Sequence, residues 1–564
     1  MTKGVLRLVL ILIIAIPVVV YFTAWDYYAI NIPKWDDHPL KGFIDEFAHA
    51  TNWSEKLAAL TKQHNEHRIT LTRIFAWADY AVFGSLNYRH LMFIGNLLLL
   101  GIIPLWYIIL NKNKKPLFAL VPVPFLLLTL AMWENMYWGM ASIQNFGVVT
   151  LALWTIYLCV NPSNYLFGLS IPLALLAVYT SPNALFVLPI GAFLIALTGD
   201  RKRLALYAAA SIATIFFFFK SYIRTQSNPE SKASFFQIVK GYMAFLGSFA
   251  ESFPVLDNFR VCFLIGCVLF LVAVSIASTT LFRIIRNKYS VKFEKITDLF
   301  CLGAILFILA TALVVVYSRA GFGIEGLITS KYKIYSVLLL IVAYLYVVIP
   351  IRGSFQSSYI TAIVFLAVVF NIFSYHYHLV DAFNLRKMLV TDQFNWTYEN
   401  KDLKAREDTA FAANVMARTP VIYQKWLPLI SIAGRQNYAG SSRGLVKLYD
   451  ETSFQKDANS FKVENKTFTS QRLQDSGIYI LFESNDRYYV FPAYRTRNKS
   501  RKQLFMKQYY FAPGFHAEIP FSAMKKGTYN VALVRQDGEQ TGILFKNVKV
   551  DVPQVEENKV KVNW

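Results

Sequence analysis

Two adjacent carboxylates stand in Trp35-Asp36-Asp37-His38, shortly after an apolar run at the N-terminus. Oxygen anions so placed can serve as a general base toward a hydroxyl group, or as ligands for a divalent cation such as Mg or Mn. A solvated acidic turn ahead of Pro39 accounts for the same residues without chemistry, and Asp45 and Glu46 read as the polar face of a following amphipathic helix. A second cluster, His64-Asn65-Glu66-His67-Arg68, joins imidazole, carboxylate and guanidinium ahead of an apolar stretch. His67 and Arg68 suit a phosphate ligand, because guanidinium binds such oxygens bidentately. Asn65 as a helix cap, with Glu66 in the first turn where the helix dipole favours an anion, explains the cluster equally well. No third ligand accompanies His64 and His67, so zinc is not expected.

Trp133-Glu134-Asn135-Met136-Tyr137-Trp138-Gly139 sets an acid between aromatic rings, with Gln144 following. Glu134 could support a cation or a sugar whose apolar face stacks on Trp138, and Asp37 with Glu134 is a candidate pair of metal ligands. An interfacial aromatic belt explains Trp133 and Trp138 but not Glu134 or Gln144, which are costly against lipid. The fourth cluster, Ser318-Arg319-Ala320-Gly321-Phe322-Gly323 with Lys331 and Lys333, combines permissive backbone with cations and could clamp a phosphate or pyrophosphate; an exposed basic loop is the plainer reading. Thr180-Ser181-Pro182-Asn183 reads as a tight turn.

What must hold these clusters is mostly membrane helix. Of 564 residues, 55% are hydrophobic and only 16% charged, where a soluble globular chain carries about 25% charge. Apolar runs long enough to cross a hydrocarbon core of about 30 Å recur as far as Phe373, which excludes a soluble enzyme. They fall near residues 5–23, 89–110, 116–133, 141–160, 164–180, 183–199, 203–221, 260–282, 297–317, 333–350 and 357–374, giving about eleven spans. The first follows Lys3 and Arg7 like a signal peptide, but it is long and lacks a small-residue cleavage site, so it reads as an uncleaved span.

The net charge of +22 is concentrated in part in alternate short loops: Lys112, Lys114 and Lys115; Arg201, Lys202 and Arg203; Arg283 and Arg286; Arg352. That alternation puts the N-terminus and the basic loops in the cytoplasm, with the long first loop (24–88) and everything after Phe373 outside. No nucleic-acid partner is implied, and no glycine-rich phosphate loop supports ATP-driven transport. Cys159, Cys262, Cys267 and Cys301 all lie in apolar runs and read as small core residues. The chain therefore divides into a membrane unit (1–375) and an exterior α+β unit (376–564), with a helical linker (376–420) and a β-rich part (440–564). Runs at 477–482, 488–494, 515–520 and 527–534 alternate as strands, and a small β-sandwich is expected.

This layout, a first-loop acidic motif soon after span one, an acid between spans three and four, and a C-terminal exterior domain, resembles the GT-C superfamily of integral membrane glycosyltransferases. The segments HNEHRI (64–69), WENMYWG (133–139), SRAGFG (318–323) and SKY (330–332) are similar to those of bacterial multispanning proteins described as glycosyltransferases. The likeness covers roughly residues 1–375. It implies transfer of a sugar from a polyprenyl-phosphate or polyprenyl-pyrophosphate donor to a glycan, lipid or protein acceptor on the outer side of the bacterial inner membrane. In that scheme Asp36 or Asp37 deprotonates the acceptor. Arg68, His67, Arg319 and Lys331 meet the donor phosphate, and Glu66, Glu134, Trp138 and Gln144 support sugar or cation binding. The displacement would be inverting. A strict Asp-x-Asp motif is absent, so metal dependence stays open. A flippase or transporter of a lipid-linked glycan would use the same cations without a base; a ligase or polymerase, or a non-catalytic scaffold, are further alternatives.

Overall fold

A computed structural model describes residues 3–223, 233–286, 292–399, 422–423, 442–538 and 540–554. The chain has the build of a multi-pass membrane protein. Among the described residues, nine helices are long and apolar enough to span a bilayer, from Gly4–Tyr28 to the segment Ser354–Thr397. Two of the eleven expected spans are instead shorter apolar helices, Asn164–Val178 and Pro182–Thr198. The first rises only about 22 Å at 1.5 Å per residue, less than a hydrocarbon core of about 30 Å. Proline explains part of this: Pro172 lies inside Asn164–Val178, and Pro182 opens a 3-10 turn at Pro182–Phe186 before the α-helix resumes.

The helices most buried within the bundle are Leu117–Met136 and Gly139–Cys159, while Gly4–Tyr28 presents most of its length outward. Close approach uses missing side chains. A Cβ on Gly266 would collide with the Met243 carbonyl, and one on Gly247 with the Cys262 carbonyl, so the helices Phe235–Leu246 and Asn258–Ile285 touch backbone to backbone.

The first loop is itself largely helical. A 3-10 turn at Trp35–Asp37 leads into Pro39–His49, then Trp53–Thr61 and Thr70–Phe83. Trp53 and Leu57 are exposed on the Trp53–Thr61 helix.

The C-terminal unit holds two antiparallel sheets: β1 (Thr452–Lys456), β2 (Ser460–Asn465) and β5 (Phe515–Pro520) in the order β1-β2-β5, and β3 (Ser476–Glu483), β4 (Tyr488–Pro492), β6 (Gly527–Asp537) and β7 (Gln540–Val552) in the order β4-β3-β6-β7. Phe461, Val463 and Ile519 from the first sheet share one apolar core with Ile480, Phe482, Val531 and Leu533 from the second. The four strands read from the sequence are present, the last extending to Asp537, and β1, β2 and β7 are added to them. The helix expected at 402–418 lies outside the described residues.

One helix joins the units. Ser354–Glu399 runs 46 residues without interruption, so the boundary placed at 375 falls inside it. Its far half grips the edge of the second sheet by side-chain mimicry of a strand: Asn395 Nδ2 donates to the Val490 carbonyl at 3.0 Å and its Oδ1 accepts from the Val490 amide at 2.7 Å. Lys387, fully buried, donates to the carbonyls of Ile478 and Ala493. Arg386 binds Asp475 through two hydrogen bonds, at 2.8 and 3.1 Å. Tyr28, at the end of the first helix, donates to the Leu473 carbonyl, which fixes the sheets to the end of the bundle that also carries the first loop.

Candidate functional site

The two neighbouring carboxylates have different surroundings. Asp37 is wholly buried, with Oδ2 accepting from the Lys34 amide at 3.0 Å and Oδ1 from the Met140 amide at 2.6 Å. The second bond is to an amide in the first turn of Gly139–Cys159, where the dipole favours an anion. Gly139 leaves room for it, since a Cβ there would lie 3.2 Å from Asp37 Oδ1. Burial pushes the Asp37 carboxyl up to about 7, against the pull of its two backbone hydrogen bonds. Expected as a candidate base or metal ligand, Asp37 has both oxygens committed to backbone and acts here as a clasp between the first loop and the bundle.

Asp36 is only partly buried. Burial raises its carboxyl pKa, while the charges of Lys331, His67 and Arg319 lower it and Glu66 opposes them. Its charge is thus felt by groups from two other stretches, Glu66–His67 and Arg319–Lys331. The turn that aims it contains Trp35 in the left-handed region, at φ 44°, an uncommon position for a bulky residue.

Glu66 and His67 sit in a tight turn in which the backbones of His64 and His67 exchange two hydrogen bonds of 2.8 Å, with Asn65 at φ 49°. Asn65 is thus a turn residue; the helix cap considered for it does not form, and the helix begins at Thr70. Arg319 donates to Glu66 Oε1 at 2.7 Å, and His67 Nε2 lies 3.5 Å from the same oxygen. Although burial would raise it, the Glu66 carboxyl is held well below its ordinary value by His67 and Arg319. His64 is buried and depressed to about 3 by burial and by Arg73, so it stays neutral.

Arg68 behaves differently from the phosphate ligand expected. Its guanidinium donates to the carbonyls of Phe218 and Lys220 at 3.0 Å and to that of Thr61, closing off the end of the Arg201–Phe219 helix. The competition is local: exposed helix-end carbonyls recruit the nearest guanidinium.

Glu134 joins the first loop to the segment before Lys333–Val348. Its Oε1 lies 3.5 Å from Lys34 Nζ and 3.7 Å from Lys331 Nζ, its Oε2 accepts from Thr329 at 3.5 Å, and its amide donates to Ser330 at 3.0 Å. Both ammonium groups also lie over Trp138, at 4.6 and 4.2 Å from the ring centre, and Trp35 meets Trp138 edge-on at 5.4 Å. Cations over indole faces gain from the ring quadrupole. Gln144 is buried within Gly139–Cys159. Lys34 was not among the residues singled out from the sequence. Burial lowers it to about 8, with Glu134 opposing. Its signal was present, a lone lysine after Ile32-Pro33 and against Trp35.

Asp36, Glu66, His67, Glu134, Arg319 and Lys331, drawn from three segments far apart in sequence, thus converge, and Lys34 joins them. Among the described residues no group of three His, Cys, Asp or Glu side chains could hold a metal. The donor set here is mixed with cations: Asp37 is spent on amides and Glu134 faces two ammonium groups, so a Mg or Mn ion does not fit the Asp37–Glu134 pair.

Beside this cluster runs a groove of about 1250 Å³ between the helices Trp53–Thr61, Asn164–Val178 and Arg201–Phe219. Leu57, Leu175, Leu176 and Phe217 give it apolar walls, and Gln63 and Asn65 bring it to the turn that holds Glu66. Lys62, Arg68 and Lys220 are its cations. No protein-family model matches the chain, and no curated protein aligns with it significantly.

Proposed function

We propose that the protein is an integral membrane glycosyltransferase of GT-C type. It would take a sugar from a polyprenyl-phosphate or polyprenyl-pyrophosphate donor and pass it, with inversion, to a glycan, lipid or protein acceptor on the extracytoplasmic side of the bacterial inner membrane. In this reading the nine long helices and the two shorter ones all cross the bilayer. The N-terminus is cytoplasmic and the two C-terminal sheets form a periplasmic β-sandwich.

The observation that carries the reading is the partly buried Asp36 carboxylate, opposed by Lys331, His67 and Arg319, together with an apolar groove that reaches the turn holding His67 through Asn65 and Arg68. A lipid-linked donor asks for that juxtaposition: cations for a phosphate, a base for a hydroxyl, and an apolar channel for an isoprenoid tail. Asp36 would accept the acceptor hydroxyl proton as that oxygen attacks the anomeric carbon and the glycosidic bond to phosphate breaks. Lys331, Arg319 and Lys34 would stabilise the charge gathering on the departing phosphate, with Glu134 and Glu66 holding those cations in place. Trp35, which is exposed, offers a face for a sugar ring, while Trp138 is buried beneath the two ammonium groups.

The test compares surface glycans and lipid-linked sugars in cells carrying the wild type, no protein, or Asp36→Asn. Loss of one sugar from the glycan with build-up of its lipid carrier on the outer leaflet, in both deficient strains, supports transfer. Carrier trapped on the cytoplasmic leaflet would indicate flipping instead.

A further inference from the structure

A second cleft, of about 530 Å³, lies where the C-terminal unit meets the membrane bundle, and none of its lining residues belongs to the cluster around Asp36. Its walls come from the start of Asn258–Ile285, from the middle of Ser354–Glu399 and from the strand-flanking stretch at Arg495–Lys499. Arg497 pairs with Asp381, donates through Nε to the Tyr377 carbonyl at 3.1 Å and lies over the Tyr377 ring at 3.9 Å. Asp381 thereby matches one cation. Lys499 is exposed at the edge of the same cleft, leaving it net positive among its lining residues.

The polar fittings are held firmly. Asn384 exchanges hydrogen bonds with both backbone groups of Arg495, at 2.9 and 3.2 Å. Asn258 donates to the Tyr377 hydroxyl at 2.9 Å, while its own Oδ1 is buried without a hydrogen-bond partner among the described residues. An orphaned acceptor beside cations fits a ligand that offers an anion and a hydroxyl donor together.

Position narrows the ligand further. Asn258 begins a membrane-length apolar helix, and Tyr377 lies just beyond the most apolar stretch of Ser354–Glu399. Directly along those two helices, Leu264, Val268 and Leu271 and, on the other, Phe365, Leu366 and Ile372 are exposed. The cleft therefore sits at headgroup depth above two bare apolar faces that acyl chains can follow.

We propose that this cleft binds the headgroup of an anionic polyol phospholipid, its phosphate on Arg497 and Lys499 and a headgroup hydroxyl donating to Asn258 Oδ1. Such a lipid would fasten the C-terminal unit to the bilayer. The site is independent of the transferase reading.

The experiment uses the full chain in an uncharged detergent and follows thermal unfolding during titration with phosphatidylglycerol, phosphatidylcholine or glycerol 1-phosphate. Phosphatidylglycerol should stabilise saturably, and Lys499→Glu should raise its half-saturating concentration about tenfold or more, the effect of losing one charge-assisted contact. Lys499→Ala should shift it in the same direction by less. Phosphatidylcholine matching phosphatidylglycerol, or both Lys499 variants binding like wild type, would overturn the proposal. Glycerol 1-phosphate stabilising at the same concentration as the lipid would overturn the lipid source and mark a site for free phosphate esters.

Discussion

Arg319 reaches Glu66 at 2.7 Å across 253 residues of chain, tying the first loop to the segment that also carries Lys331. The pair is more than a surface ion pair, because each side chain is about a third exposed or less and His67 shares the same carboxylate oxygen. In the transferase reading Arg319 both holds Glu66 and faces the donor phosphate. Arg319→Ala should therefore weaken donor binding by about tenfold to a hundredfold, the range of a lost charged hydrogen bond, with acceptor affinity little changed. Equal donor affinity in variant and wild type, measured with a lipid-linked sugar on reconstituted protein, would remove the clamp. Lys331→Ala should act in the same direction.

The neighbouring aspartates should respond oppositely to amidation. In the transferase reading Asp36→Asn removes the base and should lower transfer by about a hundredfold to ten-thousandfold while leaving thermal stability close to wild type. Asp37→Asn alters the clasp on the Lys34 and Met140 amides and should show mainly as altered stability. Full activity in Asp36→Asn, with protein at normal abundance, would dismiss it as the base.

Asp37 also predicts a pH dependence of stability. Its folded pKa of about 7 stands above its ordinary value of 3.8, so the folded state binds the proton more tightly than the unfolded chain. Its contribution is fully present below about pH 4 and is lost as pH rises through about 7, amounting to a few kcal/mol at about 1.4 kcal/mol per unit. Asp37→Asn cannot lose a proton there. Its stability relative to wild type should therefore improve between those pH values and change little above them, as read by paired melts across the range.

Much of the site was legible because charged residues are scarce in this chain and those of the first loop, Glu134 and the Arg319–Lys331 stretch stand out against apolar sequence. Side-chain types alone could not separate Asp36 from Asp37, since the difference is made by an amide at Met140, about a hundred residues on. Arg68 looked like a phosphate ligand for the same reason: the carbonyls that occupy it belong to Phe218 and Lys220. In the fold, Thr452–Lys456 and Ser460–Asn465 escaped notice because they are short and largely polar; β2 pairs with β5, and β1 pairs only with β2 among the described strands. The Ser354–Glu399 helix passes the apparent boundary because its apolar face exchanges lipid for the second sheet while the backbone continues unbroken.

Lys34 gives an activity prediction with a defined sign. Burial lowers its ammonium to about 8, so above that pH it turns neutral, Glu134 keeps Lys331 as its one cationic partner among the described residues, and the site gains negative charge. Donor binding should weaken as pH rises through about 8. Lys34→Arg, which stays protonated, should flatten that limb even if its maximal rate is lower; Lys34→Met should bind donor weakly at every pH. A wild-type donor profile that stays level well past pH 8 would show that Lys34 does not contribute.

The groove offers a way to separate the lipid tail from the chemistry. Leu176 lines it from Asn164–Val178 together with Leu57 and Phe217 from the other two helices, and it takes no part in the ion pairs of Glu66, Glu134 and Arg319. Leu176→Trp adds bulk to the channel without altering any charge. If the isoprenoid lies there, KM for a long-chain donor should rise about tenfold, the cost of roughly 1.4 kcal/mol of lost burial, while a short-chain analogue should be turned over as by wild type. Equal losses for long and short donors would mean that the substitution disturbed the helix rather than a tail-binding channel, and unchanged KM for both would place the tail elsewhere.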